Sequence, residues 1–138
     1  MPNKFYPLPQ VGDIVWCIYP QVIGVPGPKP RPAIVSAVSP STHEVEVVYG
    51  TSKKTSKIYP TEFVLDPQDP GFSLSGLGYR TKFDVAHRVR LPFDNVWFGV
   101  SPAKKRQIPL PKLGSLHPSC ITALQVAAGN AARQRGKV

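Results

Sequence analysis

The side chains in this chain that can do chemistry are mostly cations and hydroxyls. Thr51 and Ser52 run into Lys53, Lys54 and Lys57, and Lys104, Lys105 and Arg106 form a second basic cluster. Cations grouped in this way can track a phosphodiester backbone. A Thr-Ser-Lys turn also offers hydroxyls and backbone amides to a phosphate, although serine and threonine favour turns for local reasons as well. His87 carries the one side chain type whose ordinary pKa suits proton transfer near neutral pH, and a single histidine is equally at home as a structural residue. His43 and His117 read as loop residues. No His, Cys, Asp or Glu cluster has metal-ligand spacing, so no metal or other cofactor is expected. Tyr49, Trp97 and Phe98 can stack on bases, but buried packing is the expectation for each, and Trp16 reads as core.

The charge balance agrees with a polyanionic partner. Lysine and arginine number 17 against 8 aspartates and glutamates, a net charge of +9 over 138 residues. Nucleic acid, whether RNA or DNA, an acidic protein or an anionic membrane would each satisfy that surplus. The length predicts one domain able to bury a core without disulfides. Cys17 and Cys120 do not form a CxxC pair and sit among apolar residues, so both are expected to be reduced core thiols. No signal peptide is evident at the N-terminus and no run reaches the roughly 18 apolar residues of a membrane helix, so the expectation is a soluble, cytoplasmic protein with no membrane partner.

The elements that position these residues are short. Seventeen prolines and eleven glycines break the chain into pieces suited to a β architecture with frequent turns. Residues 1–10 read as an extended arm. Strands are predicted over Ile14–Tyr19, Ala33–Val38, Glu44–Tyr49 and Ile58–Leu65. Between the first two, residues 20–32 hold five prolines, which cannot donate to a ladder, and so form a loop. Residues 81–91 fit either a strand or a short helix, and residues 99–114 form a basic, proline-bearing loop. Ser119 is placed to cap a helix running to Ala128, with Gly129 as its stop and residues 130–138 as a basic tail.

Three of these segments, in this order, resemble the PemK/MazF toxins. They are Gly12-Asp13-Ile14-Val15, then Arg31-Pro32-Ala33-Ile34-Val35-Ser36, then Gly50-Thr51-Ser52-Lys53. The likeness covers about residues 11–65 and is looser beyond, where Ser75-Gly76-Leu77 and Thr81-Lys82-Phe83-Asp84 look like the later strand region and residues 92–114 look like an insertion. The resemblance implies a single domain over 1–138. Its fold would be mainly β (α+β), an SH3-like twisted β-barrel with short helices and a C-terminal helix.

The same resemblance implies a homodimer, a cognate acidic antitoxin as partner, and metal-independent endoribonuclease activity on single-stranded RNA by attack of the 2′-hydroxyl. It assigns Arg31 to charge stabilisation at the phosphate, a role suited to a planar guanidinium fork. Thr51 matches the family's catalytic threonine. Asp84 is the nearest equivalent of the aspartate base that some relatives use, with His87 as the alternative. Ser52, Lys53, Lys54, Lys57, Lys104, Lys105 and Arg106 are the expected RNA contacts. Two other readings fit the charge: a non-catalytic nucleic-acid-binding barrel, and an interaction module that captures an acidic peptide.

Overall fold

The computed structural model describes residues 2–22, 24–100 and 110–135. Its centre is one antiparallel sheet of six strands: β1 (Asp13–Cys17), β2 (Arg31–Ser39), β3 (Glu44–Thr51), β4 (Glu62–Leu65), β5 (Thr81–Pro92) and β6 (Lys112–Ser115). Their spatial order is β4-β5-β3-β2-β1-β6. Among the described residues the one α-helix, α1 (Ile121–Arg135), follows a 3-10 turn at Pro118–Cys120, and a second 3-10 turn lies at Phe72–Ser75.

The sheet is apolar on both sides because it curls between two cores. Alternation along each strand sends successive residues to opposite faces. One face carries Ile14, Ile34, Val48, Phe63, Phe83 and Val85, covered by Ala127 and Ala131 of α1. The other carries Val15, Cys17, Ala33, Val35, Val45 and Val47, closed over by Leu91, Phe93 and Phe98. Phe63 and Phe83 stack with centroids 5.6 Å apart. Each buried phenylalanine stabilises by about 1.5–3 kcal/mol, so these clusters dominate the fold. This is the mainly β, curled barrel-like architecture with a C-terminal helix that the sequence implies.

Several boundaries shift from the expectation for identifiable reasons. The strand placed at Ile58–Leu65 begins only at Glu62. Pro60 precedes it, and the Tyr59 carbonyl accepts from the Glu62 amide at 2.9 Å, which makes a turn of the earlier residues. Residues 81–91, ambiguous in sequence, are strand β5. Its pairing with β3 jumps from Val48↔Arg88 to Tyr49↔Asp84, so residues 85–87 bulge out and blur the period. The loop 99–114 ends in β6, which adds an edge to β1.

The N-terminal segment is docked against the fold: the Phe5 amide donates to the Phe93 carbonyl at 3.1 Å, and the two rings meet edge to face. Ser119 is not the cap. Its backbone amide donates to Nδ1 of His117, which fills that role one 3-10 turn before α1. Gly129 does not stop the helix either, so residues 130–135 of the expected tail are helical. A mid-helix glycine costs about 1 kcal/mol. Burial of Ala131 and the bond from Asn130 Nδ2 to the Pro60 carbonyl at 2.7 Å offset it. Among the described residues no helix is long and apolar enough to cross a membrane.

Candidate active site

The strand register sets the singled-out residues in adjacent rows on one sheet face. Cys17 of β1 lies opposite Arg31 of β2, and Thr51 of β3 lies opposite Lys82 of β5. In the neighbouring row of the same face, Ala33 is opposite Tyr49, Tyr49 opposite Asp84, and Asp84 opposite Glu62. Arg31 and Thr51 lie two residues beyond Ala33↔Tyr49, the last β2–β3 pair, on their respective strands. Asp84 is then a diagonal neighbour of Thr51, a separation of about 7–8 Å.

Gly50 makes this close approach feasible. A Cβ there would lie 2.5 Å from Cε1 of Phe83 and 2.8 Å from the Pro32 carbonyl oxygen, so only glycine lets β2 and the Phe83 ring close on β3 just before Thr51. The Thr51 hydroxyl is held in turn: its Oγ1 accepts from the Lys53 amide at 3.1 Å. Lys54 then takes a positive φ of 56° to bring the chain round.

At these strand ends a cleft of about 540 Å³ opens, within the usual range for ligand sites. Lys29, Arg31, Thr51 and Ser52 line it beside Trp16, and the Gly76–Tyr79 turn forms another part of its lining. That turn is fixed by contact. Gly76 has φ of 71°, and a Cβ there would overlap the Leu113 carbonyl of β6. Arg31 has no ion-pair partner among the described residues, which leaves its fork available to a ligand at the cleft.

The structure therefore brings Arg31, Thr51 and Ser52 to one cleft. Lys53, Lys54 and Lys57 are exposed in the following turn, outside the cleft lining. Asp84 does not line the cleft: its Oδ1 accepts from Thr61 Oγ1 at 2.9 Å and from the Ala86 amide at 2.9 Å. His87 projects from the bulge with its side chain 68% exposed, its Nδ1 3.6 Å from Oδ2 of Asp84. Lys104, Lys105 and Arg106 lie outside the described residues. Phe98 is buried and unavailable for stacking, and Trp97 packs on the second core cluster. Trp16 is half-buried and lines the cleft, a more exposed place than the core expected for it.

Two neighbours define the electrostatics. Tyr19 and Tyr49 have ring centroids 5.0 Å apart. Burial, with smaller contributions from Cys17, Asp84 and Tyr49, pushes the Tyr19 phenol up to about 12. Burial also pushes the Cys17 thiol far up, so it stays protonated and is no nucleophile. Among the described residues no three His, Cys, Asp or Glu side chains group to hold a metal.

Sequence reasoning missed three features here. Lys29 lines the cleft two residues before Arg31, and a cation in the proline-rich loop was the available signal. Tyr79, between Gly78 and Arg80, lines it as well. Lys82 is buried and paired with Glu62 at 3.1 Å, a contact between distant strands that no local spacing reveals.

No family model and no curated protein sequence matches the chain. Solved structures do. An endoribonuclease in complex with its cognate antitoxin, from mycobacterial species, superposes with TM-score 0.57 and 16% identity over 90% of this chain and 94% of its own. A mycobacterial endoribonuclease gives TM-score 0.57 and 16% identity over 94% of this chain and 95% of that one. At this identity the likeness establishes the fold. It agrees with the fold that the PemK/MazF-like order of segments implies.

Proposed function

We propose that this chain is a toxin-type endoribonuclease of the PemK/MazF kind, acting in the cytoplasm on single-stranded RNA. One observation carries the reading: Arg31, Thr51 and Ser52, chosen from sequence, line one 540 Å³ cleft. The fold shared over nearly the whole length with mycobacterial endoribonucleases supports it.

In this reading the ribose 2′-oxygen bonds to phosphorus while the bond from phosphorus to the 5′-oxygen breaks. A base takes the 2′-hydroxyl proton, and a proton is delivered to the departing 5′-oxygen. Arg31 sets its fork against the phosphoryl oxygens and offsets the charge that builds there. The Thr51 hydroxyl, oriented by the Lys53 amide, donates to a phosphoryl oxygen. Asp84, on the same sheet face and diagonal to Thr51, is the base, and its contact with His87 at 3.6 Å makes the imidazole its partner or alternative. No step calls for a metal. Ser52, Lys53, Lys54 and Lys57 carry the RNA backbone away from the cleft, and Lys104, Lys105 and Arg106 extend the basic surface.

Two further parts of the reading concern assembly. The protein is a homodimer, with self-complementary contacts. Its inhibitor is an acidic antitoxin that sets carboxylates near Arg31; one of the structural relatives is in complex with a cognate antitoxin. Digesting a long single-stranded RNA and its all-deoxy counterpart side by side tests the chemistry. RNA cut to 2′,3′-cyclic phosphate ends with the deoxy strand intact supports it. Equal cleavage of both strands rules out the 2′-hydroxyl as nucleophile.

A further inference from the structure

We infer that Tyr79 is a stacking platform for an unpaired base of the RNA held in the cleft, a role that rests on the ribonuclease reading above. Tyr79 is 76% exposed, more than any other large hydrophobic side chain among the described residues. Its backbone, by contrast, is tied to the fold at its carbonyl and through its neighbours. Gly76 packs against the Leu113 carbonyl. The Thr81 hydroxyl donates to the Tyr79 carbonyl at 2.9 Å. Next along the chain, the Arg80 guanidinium is paired with Asp66 and donates to the Thr55 carbonyl at 3.2 Å.

A bare aromatic ring on a fixed backbone is costly to leave in water and loses little entropy when a planar partner covers it. What surrounds the ring identifies that partner. The same cleft is lined by Lys29, Arg31, Thr51 and Ser52, two cations and two hydroxyls, which suit phosphate rather than an apolar surface. Gly78, beside the ring, has open space where a Cβ would be. A ligand that is anionic along its chain and flat at its side groups fits both halves, and single-stranded nucleic acid has that make-up. Stacking tolerates any base, so Tyr79 contributes affinity and registers a base next to the phosphate at Arg31 without dictating its identity.

The test uses the full chain and uncleavable 2′-O-methyl oligomers of twelve adenosines or twelve uridines, with a base-free sugar-phosphate oligomer of equal length. Binding is measured for the wild type, Tyr79→Ala and Tyr79→Phe. Wild type binds the base-bearing oligomers more tightly than the base-free one. Tyr79→Ala weakens binding to the base-bearing oligomers by about 5- to 100-fold, leaves the base-free oligomer unaffected, and Tyr79→Phe restores affinity. Because the ring is exposed, Tyr79→Ala keeps the fold, which circular dichroism checks.

Equal binding of wild type and Tyr79→Ala to the base-bearing oligomers overturns the stacking role and leaves the ribonuclease reading intact. An equal loss on the base-free oligomer also overturns it, since the ring would then serve the phosphate chain. If Tyr79→Ala instead weakens only binding of a twelve-residue polyglutamate peptide, the ring belongs to a protein contact and the inference fails. A wild type that binds no oligomer removes the functional reading and the stacking with it.

Discussion

Lys82 and Glu62 form an ion pair across β5 and β4, with Nζ 3.1 Å from Oε2 and both side chains under a tenth exposed. Lys82 Nζ also donates to the Lys57 carbonyl at 3.0 Å and lies 5.8 Å from the centre of the Tyr59 ring. The pair thus ties the basic turn to the sheet beside Thr51. Removing one partner leaves a buried charge alone, which typically costs about 3–5 kcal/mol. Lys82→Met should destabilise by that order in chemical denaturation, and the double change Lys82→Met with Glu62→Leu should recover most of the loss. A single variant as stable as wild type would show the pair to be energetically idle.

Gly50 gives a second stability test. Its replacement by alanine forces the Phe83 ring or β2 to move, and overpacking of this kind typically costs about 1–3 kcal/mol. Because the strain falls next to Thr51, Gly50→Ala should lower both the melting temperature and RNA cleavage. Loss of stability with full activity would separate the strand junction from the site.

The turn before the Tyr79 wall carries a pH-dependent contact. The Gln68 amide and then Arg80 hold the Asp66 carboxyl below its ordinary value. A depressed folded value favours the charged form. The contact's contribution is therefore present above the unfolded pKa and is lost as pH falls below about 4. In an NMR titration Arg80→Gln should raise the Asp66 midpoint only part of the way, since the Gln68 bond at 2.9 Å remains. An unmoved midpoint would show that the arginine does not act on Asp66.

Much of this was legible in the sequence, for physical reasons that can be named. The strands around Val15, Val35 and Val47 are runs of apolar, β-branched residues that burial demands. Pro20, Pro26, Pro28 and Pro30 marked a loop, although the loop ends at Arg31, where β2 begins and pairs Pro32 with Trp16. Arg31 and Thr51 were found through segment order. Their meeting at one cleft depends on the β2–β3 register, and Gly50, beside Thr51 within β3, was the visible hint. Asp84 was harder, because the bulge at residues 85–87 breaks the strand period beside it. The Lys82–Glu62 pair was invisible, since partners on different strands leave no trace in local spacing. The run of α1 past Gly129 was missed because contacts at Ala131 and Asn130 override local propensity.

Removing the guanidinium probes the phosphate contact directly. Arg31→Ala should slow cleavage on the order of 100- to 1000-fold with melting temperature unchanged, because Arg31 lines an open cleft. Arg31→Lys should recover only part of the rate, since a point charge lacks the planar fork. Full activity in Arg31→Lys would show that charge alone suffices.

The most direct measurement is digestion of a long single-stranded RNA by the purified chain in excess EDTA, with the Arg31→Ala variant prepared in parallel. Fragments should appear with the wild type, and with the variant only about 100- to 1000-fold more slowly. RNA left whole by the wild type, with or without added magnesium, would contradict the ribonuclease reading.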